Sequence, residues 1–300
     1  MRSPSIVVLG GAGMLGHKMF QVLQREYPGT VCTVRSDAQR EAMRQAGFTC
    51  GSEVLSEVDV TDFAALERLF AGLRPNVIVN CVGIIKQRSE AACAIPSITI
   101  NSLLPHKLAE MASTWGGRVI HFSTDCVFSG RKGGYTEEDL SDAEDLYGKS
   151  KFLGEVAASN ALTIRTSIIG RELEEHRSLL DWFLSNNHGR VRGFSRVIFS
   201  GVSTNYLAEF VARAIRDCPA LSGLYQLASQ PVTKHDLLCT LRSAYGLDIE
   251  ILPDDSEISD RSMDPSKLAR AISFNPPAWR DLAAQLAADP TSYAEQVLAI

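Results

Sequence analysis

Short apolar runs alternate with stretches of helical spacing through the first half of the chain. Ile6–Leu9 runs straight into glycines, and apolar positions recur at helical spacing over 14–23, which predicts a strand, a tight turn and a helix. Residues 31–34 predict a second strand, 38–46 a helix, 54–60 a third strand, and Phe63–Leu73 a helix capped from Thr61-Asp62. The nearly all-apolar run 76–82 predicts a fourth strand buried on both faces. Residues 97–115 predict a long helix bent at Pro105, whose missing N–H breaks one backbone bond. A fifth strand at 117–122, a polar and mobile loop at 129–144, a helix opening at Leu146 and a sixth strand at 161–169 follow. This alternation predicts an α/β chain with a doubly wound parallel sheet of the Rossmann type over 1–168. Helices at 179–184, 206–216, 235–245 and 265–271, with strands at 223–227 and 249–252, predict a smaller α/β substrate-binding lobe over 169–300. Part of it, about 194–215, would return to the first domain.

The turn after the first strand carries the first chemistry. Gly10, Gly13 and Gly16 are spaced three apart, with Met14 and Leu15 between the last two. Glycine there permits positive φ and close approach of a pyrophosphate, and the following helix N-terminus offers free N–H groups to an anion. The second strand ends at Arg35-Ser36, where a basic residue accommodates a ribose 2′-phosphate, so NADP(H) is the expected cofactor, with NAD(H) the alternative. Asp59 and Val60 either meet an adenine or belong to an ordinary loop. Cys81-Val82-Gly83 closes the fourth strand with small residues that let the backbone pass close to a cofactor.

Composition narrows the partners. Three hundred residues with 45% hydrophobic and 22% charged content, and a net charge of −5, describe an ordinary globular protein with no bias toward nucleic acid or anionic membrane. A small-molecule substrate is expected. The opening apolar run is too short and glycine-interrupted for a signal segment, no run approaches a membrane span, and a cytoplasmic location is expected. The seven cysteines form no C-x-x-C pair and are expected to be reduced; the histidines lack ligand spacing, so no metal is expected.

The fifth strand runs into Ser123-Thr124-Asp125, at the strand end where ligands of such sheets bind. Tyr147 and Lys151 lie four apart and share a helix face. A lysine cation one turn away is expected to lower the tyrosine pKa and make it a usable proton donor, while the Thr124 hydroxyl orients a substrate oxygen. Lys151 would also hold the ribose of a nicotinamide. Asn101, mid-helix, is either an exposed filler or held there for its amide. Arg190, Arg192 and Arg196 either engage a diphosphate or form a solvated basic edge. Trp182 and Phe183 read as core. The last helices, from Trp279 onward, either pack on the lobe or make a subunit contact, as in a homodimer.

Three motifs together resemble an extended short-chain dehydrogenase/reductase, and more narrowly the dTDP-4-dehydrorhamnose reductase group. They are Gly10-Gly11-Ala12-Gly13-Met14-Leu15-Gly16, the run Ser123-Thr124-Asp125-Cys126-Val127-Phe128-Ser129-Gly130, and Tyr147-Gly148-Lys149-Ser150-Lys151 with Gly154-Glu155. Arg165-Thr166-Ser167 and Gly201-Val202-Ser203-Thr204 follow in that group's order. The resemblance implies Thr124, Tyr147 and Lys151 as the catalytic trio, with Asn101 ordering a water beside Lys151 and Asp125 and Arg261 facing the substrate. It implies NADP(H)-dependent reduction of the 4-keto group of a nucleotide-linked 4-keto-6-deoxy sugar. Cys126 stands where dehydratases of related sequence carry a glutamate, which disfavours dehydration. Phe194-Ser195-Arg196-Val197 departs from the group in the sugar-binding half. Two other expectations are kept: a nucleotide-sugar epimerase with bound NAD, and a regulatory subunit that binds dinucleotide without turnover.

Overall fold

The computed structural model describes residues 5–85, 93–174 and 176–293. Its first half runs β1 (Ile6–Leu9), α1 (Gly16–Glu26), β2 (Val31–Thr33), α2 (Asp37–Gln45), β3 (Val54–Leu55), α3 (Phe63–Leu73) and β4 (Val77–Asn80). Then come α4 (Ala94–Ser97), a π-helical turn (Ile98–Leu103), α5 (Leu104–Ser113), β5 (Arg118–Ser123), a 3-10 turn (Asp125–Val127), α6 (Leu146–Leu153) and β6 (Ala161–Arg165). The second half adds β7 (Ile168–Ile169), α7 (Leu179–Ser185), β8 (Arg190–Phe194), β9 (Val197–Phe199), β10 (Val202–Ser203), α8 (Thr204–Asp217) and β11 (Gly223–Gln226). It ends with β12 (Val232–Thr233), α9 (Lys234–Tyr245), β13 (Glu250–Asp254), β14 (Ser259–Asp260), α10 (Ser266–Ile272) and α11 (Trp279–Ala287).

Seven strands form one sheet in the order β11-β6-β5-β4-β1-β2-β3, and the pairs are parallel throughout. Alternation along each strand divides two cores. Ile6, Val8, Val79 and Ile120 face α1 and α8, whereas Val7, Leu9, Ile78 and Val119 face α3 and α5. The strands therefore carry almost unbroken apolar runs, as a sheet covered on both faces requires. Order reverses between β1 and β4, which opens a crevice beyond their carboxyl ends.

Several elements depart from the sequence expectation for identifiable reasons. The irregularity in the long helix precedes Pro105: the chain passes through the π turn, and Pro105 then sits in the first turn of α5, where its missing N–H costs little. The sixth strand stops at Arg165, and Ile168–Ile169 leaves the sheet to pair with Val202–Ser203. Residues 129–144 are cross-tied: Asp142 accepts from the Ser129 main chain at 2.7 Å, and the Tyr135 ring stacks on Phe128 at 4.1 Å. Trp182 is 41% exposed, while Phe183 is fully buried.

The lobe is stitched from short sheets, β8 with β13, β7 with β10, and β9 between β12 and β14. It is tied back to the first helix by residues after α11. Lys18, almost fully buried, donates to Asp289 and Gln21 at 2.7 Å and to Thr291 at 2.5 Å. Asp289 also accepts from Asn205 on α8 at 3.1 Å. Beside it His17 bonds the Gly13 carbonyl at 2.9 Å and the Tyr293 hydroxyl at 3.0 Å, and burial lowers its pKa to about 4, so the ring is neutral. Part of the expected last helical region, 294–300, lies outside the described residues.

Replacing Lys18 by Met leaves the Asp289 carboxylate buried without its cation, and the expected loss is about 3–5 kcal/mol of stability. Replacing both, as Lys18→Met with Asp289→Leu, is expected to restore most of it; urea denaturation of the three proteins measures the difference.

Candidate active site

The crevice at the strand ends is a cavity of about 420 Å³. Its near wall is the glycine turn. Gly10 has φ of +81°, and a Cβ there would meet Val82 Cγ2 at 2.9 Å. A Cβ on Gly16 would collide with the Gly10 carbonyl, so only glycine lets α1 start flush against β1. A Cβ on Gly13, by contrast, would meet only the Gly10 carbonyl, at 3.4 Å. Gly13, Met14 and Leu15 line the cavity, and the first turn of a helix carries main-chain N–H groups without intrahelical partners. This open cradle fits a pyrophosphate of a dinucleotide. Cys81, Val82 and Gly83 form the floor that continues it.

The far wall is set by β5 and α6. The Thr124 hydroxyl caps the 3-10 turn by accepting from Cys126 N at 3.1 Å and donates to Asp125 Oδ1 at 3.2 Å. Asp145 caps α6 by accepting from Gly148 N at 2.7 Å, which fixes the rotation of the helix that carries Tyr147 and Lys151. Gly148 is required there because a Cβ would run into the Cys126 carbonyl, the point where α6 touches the 3-10 turn. Thr124, Asp125, Cys126, Tyr147 and Lys151 all line the cavity.

The electrostatics differ from expectation in one respect. Lys151 does not pull Tyr147 down. Burial raises the tyrosine well above its usual pKa, aided by the neighbouring Cys126 and opposed by a hydrogen bond with Thr124. The Lys151 ammonium is turned instead onto the Phe122 carbonyl at 2.6 Å, and burial lowers its own pKa to about 8. Tyr147 is thus held as the phenol, the form that can give a proton.

Asn101 sits in the π turn with its amide committed to the main chain opposite. Its Oδ1 accepts from Ile84 N at 2.9 Å, and its Nδ2 donates to Ile84 O at 3.1 Å and to Ser150 Oγ at 3.2 Å. Both amide hydrogens are used, so toward a water beside Lys151 the side chain retains acceptor capacity only. Its evident effect is to hold the Gly83–Ile84 wall against α6.

Other expected residues fall outside the cavity lining. Arg35 is exposed at the tip of β2, and Ser36 caps α2 by accepting from Gln39 N at 3.4 Å. Asp59 turns onto Thr61, whose N–H and hydroxyl bond it at 2.9 and 2.7 Å, and Val60 packs on the second core. The arginine group does not converge: Arg190 pairs with Glu250 at 2.6 Å and Arg192 with Asp254 at 3.0 Å on the exposed face of β8, and Arg196 is exposed beyond it. Carboxylates of β13 meet the first two. Arg261 donates to the Phe128 carbonyl at 2.9 Å, behind the cavity.

Residues the sequence reading passed over complete the enclosure. Between β7 and α7, Glu172, Leu173, Glu174 and Arg177 roof the glycine-loop side. This roof is gathered by the fully buried Asp181, which accepts from Arg171 Nε at 2.9 Å, Glu172 N at 2.8 Å and the Ser178 hydroxyl at 2.8 Å. Gln39 donates to Glu174 at 3.3 Å across the opening. Thr166, Ser167, Phe199 and Lys234 line the opposite end. Thr166-Ser167 was visible as a motif, whereas Lys234, just before the helix expected at 235–245, carried no mark in the sequence.

The chain is similar to methionine adenosyltransferase 2 subunit beta of Mus musculus, 25% identical over 271 residues that cover 82% of this chain and 73% of that protein. It is similar to dTDP-4-dehydrorhamnose reductase of Mycobacterium tuberculosis, 28% identical over 175 residues covering 55% of this chain and 50% of that protein. Among solved structures, dTDP-4-dehydrorhamnose reductase from Bacillus anthracis in complex with NADP superposes with a TM-score of 0.78 at 17% identity, covering 95% of this chain and 98% of that one. The Bordetella bronchiseptica enzyme WbmG in complex with NAD and UDP gives 0.76 at 14% identity, covering 95% and 94%. These structures share the fold, a parallel seven-stranded sheet with a smaller C-terminal lobe. Residues 4–291 match the family model of the RmlD substrate binding domain, and the chain belongs to that family.

Proposed function

We propose that the protein reduces the 4-keto group of a nucleotide-linked 4-keto-6-deoxy sugar with NADPH. The observation that carries this reading is the convergence of Thr124, a protonated Tyr147 and Lys151 on one cavity wall, opposite the glycine cradle. A bound dihydronicotinamide would supply the hydride. The chain's own residues do the rest. Tyr147 gives its phenolic proton to the oxygen that becomes the alcohol, and Thr124, rotating its one O–H away from Asp125, donates a hydrogen bond to the same oxygen. Lys151, anchored by the Phe122 carbonyl, has remaining N–H groups that would hold the ribose of a bound nicotinamide cofactor. The exposed Arg35 beside Ser36 supports the choice of NADPH over NADH.

The similarity to a subunit of methionine adenosyltransferase favours a second reading, a binding subunit without turnover. A cavity wall that combines a proton donor, a hydroxyl and a lysine argues for chemistry. Oxidation of NADPH against a panel of nucleotide 4-keto sugars separates them: consumption of cofactor with formation of the alcohol supports the reductase, and binding without consumption supports the subunit. Retained NAD with no net oxidation would indicate an epimerase.

Replacing Tyr147 by Phe is expected to lower kcat by about 10²–10⁴-fold with NADPH affinity unchanged, measured by turnover and fluorescence titration. Replacing Arg35 by Ala is expected to weaken NADPH binding by about tenfold, ~1.4 kcal/mol, and leave NADH binding unaltered. Lys151 carries a stability cost, since its folded pKa of about 8 lies below the ordinary lysine value and the unfolded chain binds its proton more tightly. Replacing it by Met is expected to stabilise the protein at pH 7, by at most about 3 kcal/mol, while abolishing turnover. The advantage shrinks as pH rises from about 8 toward 10.5, the range in which the native lysine sheds its proton first; melting temperatures across that range test the sign.

A further inference from the structure

Among the described residues the buried cations have contact partners, and the half-buried Lys234 differs from them. Lys18 meets Asp289, Arg165 meets Glu155 in a two-point pair at 2.6 and 2.7 Å, and Lys151 meets the Phe122 carbonyl. Lys234 also lines the cavity, but its ammonium lies over the face of Phe199, 3.8 Å from the ring centre. Asp125 and Cys126 act on it through space rather than by hydrogen bonds, and burial lowers its pKa to about 8. Its position is built by long-range pairing. Val232 and Thr233 pair with Phe199 and Ile198, and Thr233 caps α9 by accepting from Asp236 N at 3.0 Å, so the helix starts with Lys234 over the ring. Phe199 is in turn fixed against Trp279 at 5.7 Å between ring centres. An enclosed ammonium with an aromatic face and no contacting carboxylate has donors to offer a ligand.

We propose that Lys234 and Asp125 together grip the hydroxyl on the carbon next to the reacting carbonyl, making Lys234 a specificity-determining residue. The proposal rests on the reductase reading and names what the site requires of its substrate. Thr124 and Tyr147 mark where the reacting oxygen lies, and Asp125 is the next residue along the chain. A hydroxyl there donates to the Asp125 carboxylate and accepts from the Lys234 ammonium, so each charge is satisfied by a neutral group. A carboxylate at that carbon would face Asp125 with like charge. A carbon without oxygen would leave both side chains unmatched. The substrate class selected is the hydroxylated ketone.

The test compares a nucleotide 4-keto-6-deoxyglucose with its 3-deoxy counterpart, on the dTDP, UDP or GDP carrier that the wild-type protein turns over fastest. The wild type is expected to prefer the hydroxylated substrate by about 10²-fold in kcat/KM. Lys234→Met is expected to lose that factor on the hydroxylated substrate alone, mainly through KM, with turnover of the 3-deoxy compound and NADPH affinity unchanged. Lys234→Arg is expected to recover part of it. Equal loss on both substrates, or no loss on either, would overturn the role of Lys234 and leave the reductase reading standing. Absence of wild-type turnover on every carrier would overturn both.

Discussion

The closeness of α1 to β1 is the constraint on which the rest of the molecule depends. With no side chain on Gly16, the helix starts against the Gly10 carbonyl, and Gly10 in turn takes a positive φ beneath Val82. That approach sets the height of the helix end above the sheet and the depth of the cradle at Gly13. It also places His17 and Lys18 on the first helical turn, where the residues after α11 reach them. A methyl group at position 16 would therefore displace the cradle, the helix and the anchor of the lobe together.

The chemistry is organised by where charge is allowed to go unscreened. Near the glycine cradle Lys18 is matched by Asp289, and Asp181 by Arg171 and main-chain donors. Toward the strand-five side, among the described residues, Lys151 has only a main-chain carbonyl for a partner and Lys234 an aromatic face. Tyr147 is kept protonated by burial, and Lys151 and Lys234 are held near the point of losing their protons. One region of the cavity is built for stability and the other keeps donors in reserve, the usual division between scaffold and reacting centre.

Much of this was legible in the chain, for physical reasons that also explain the rest. The central strands are buried on both faces, so they appear as continuous apolar runs, and the helix start expected at Thr61-Asp62 is capped by Asp62. The trio of Thr124, Tyr147 and Lys151 showed through local spacing, and the structure brings those residues to one wall. Features made by distant pairing stayed hidden. Strand β8 alternates exposed arginines with Val191 and Gly193, so it looked like a basic cluster until Glu250 and Asp254 on β13 met it. Lys234 opens a helix, where lysine is ordinarily a surface residue; its enclosure comes from β12 pairing with β9. The π turn has no periodic signature, and only Asn101 hinted that something held that segment.

The roof over the glycine loop grows from the lobe, knotted at Asp181 and latched to α2 through Glu174 and Gln39. Whatever steadies the lobe therefore steadies the cover over the cradle. Two ligands held under that cover, one at the cradle and one at the strand-five end, would be linked reciprocally: if one tightens the other by some factor, the second tightens the first by the same factor. Such coupling would be a property of this strip of chain between β7 and α7.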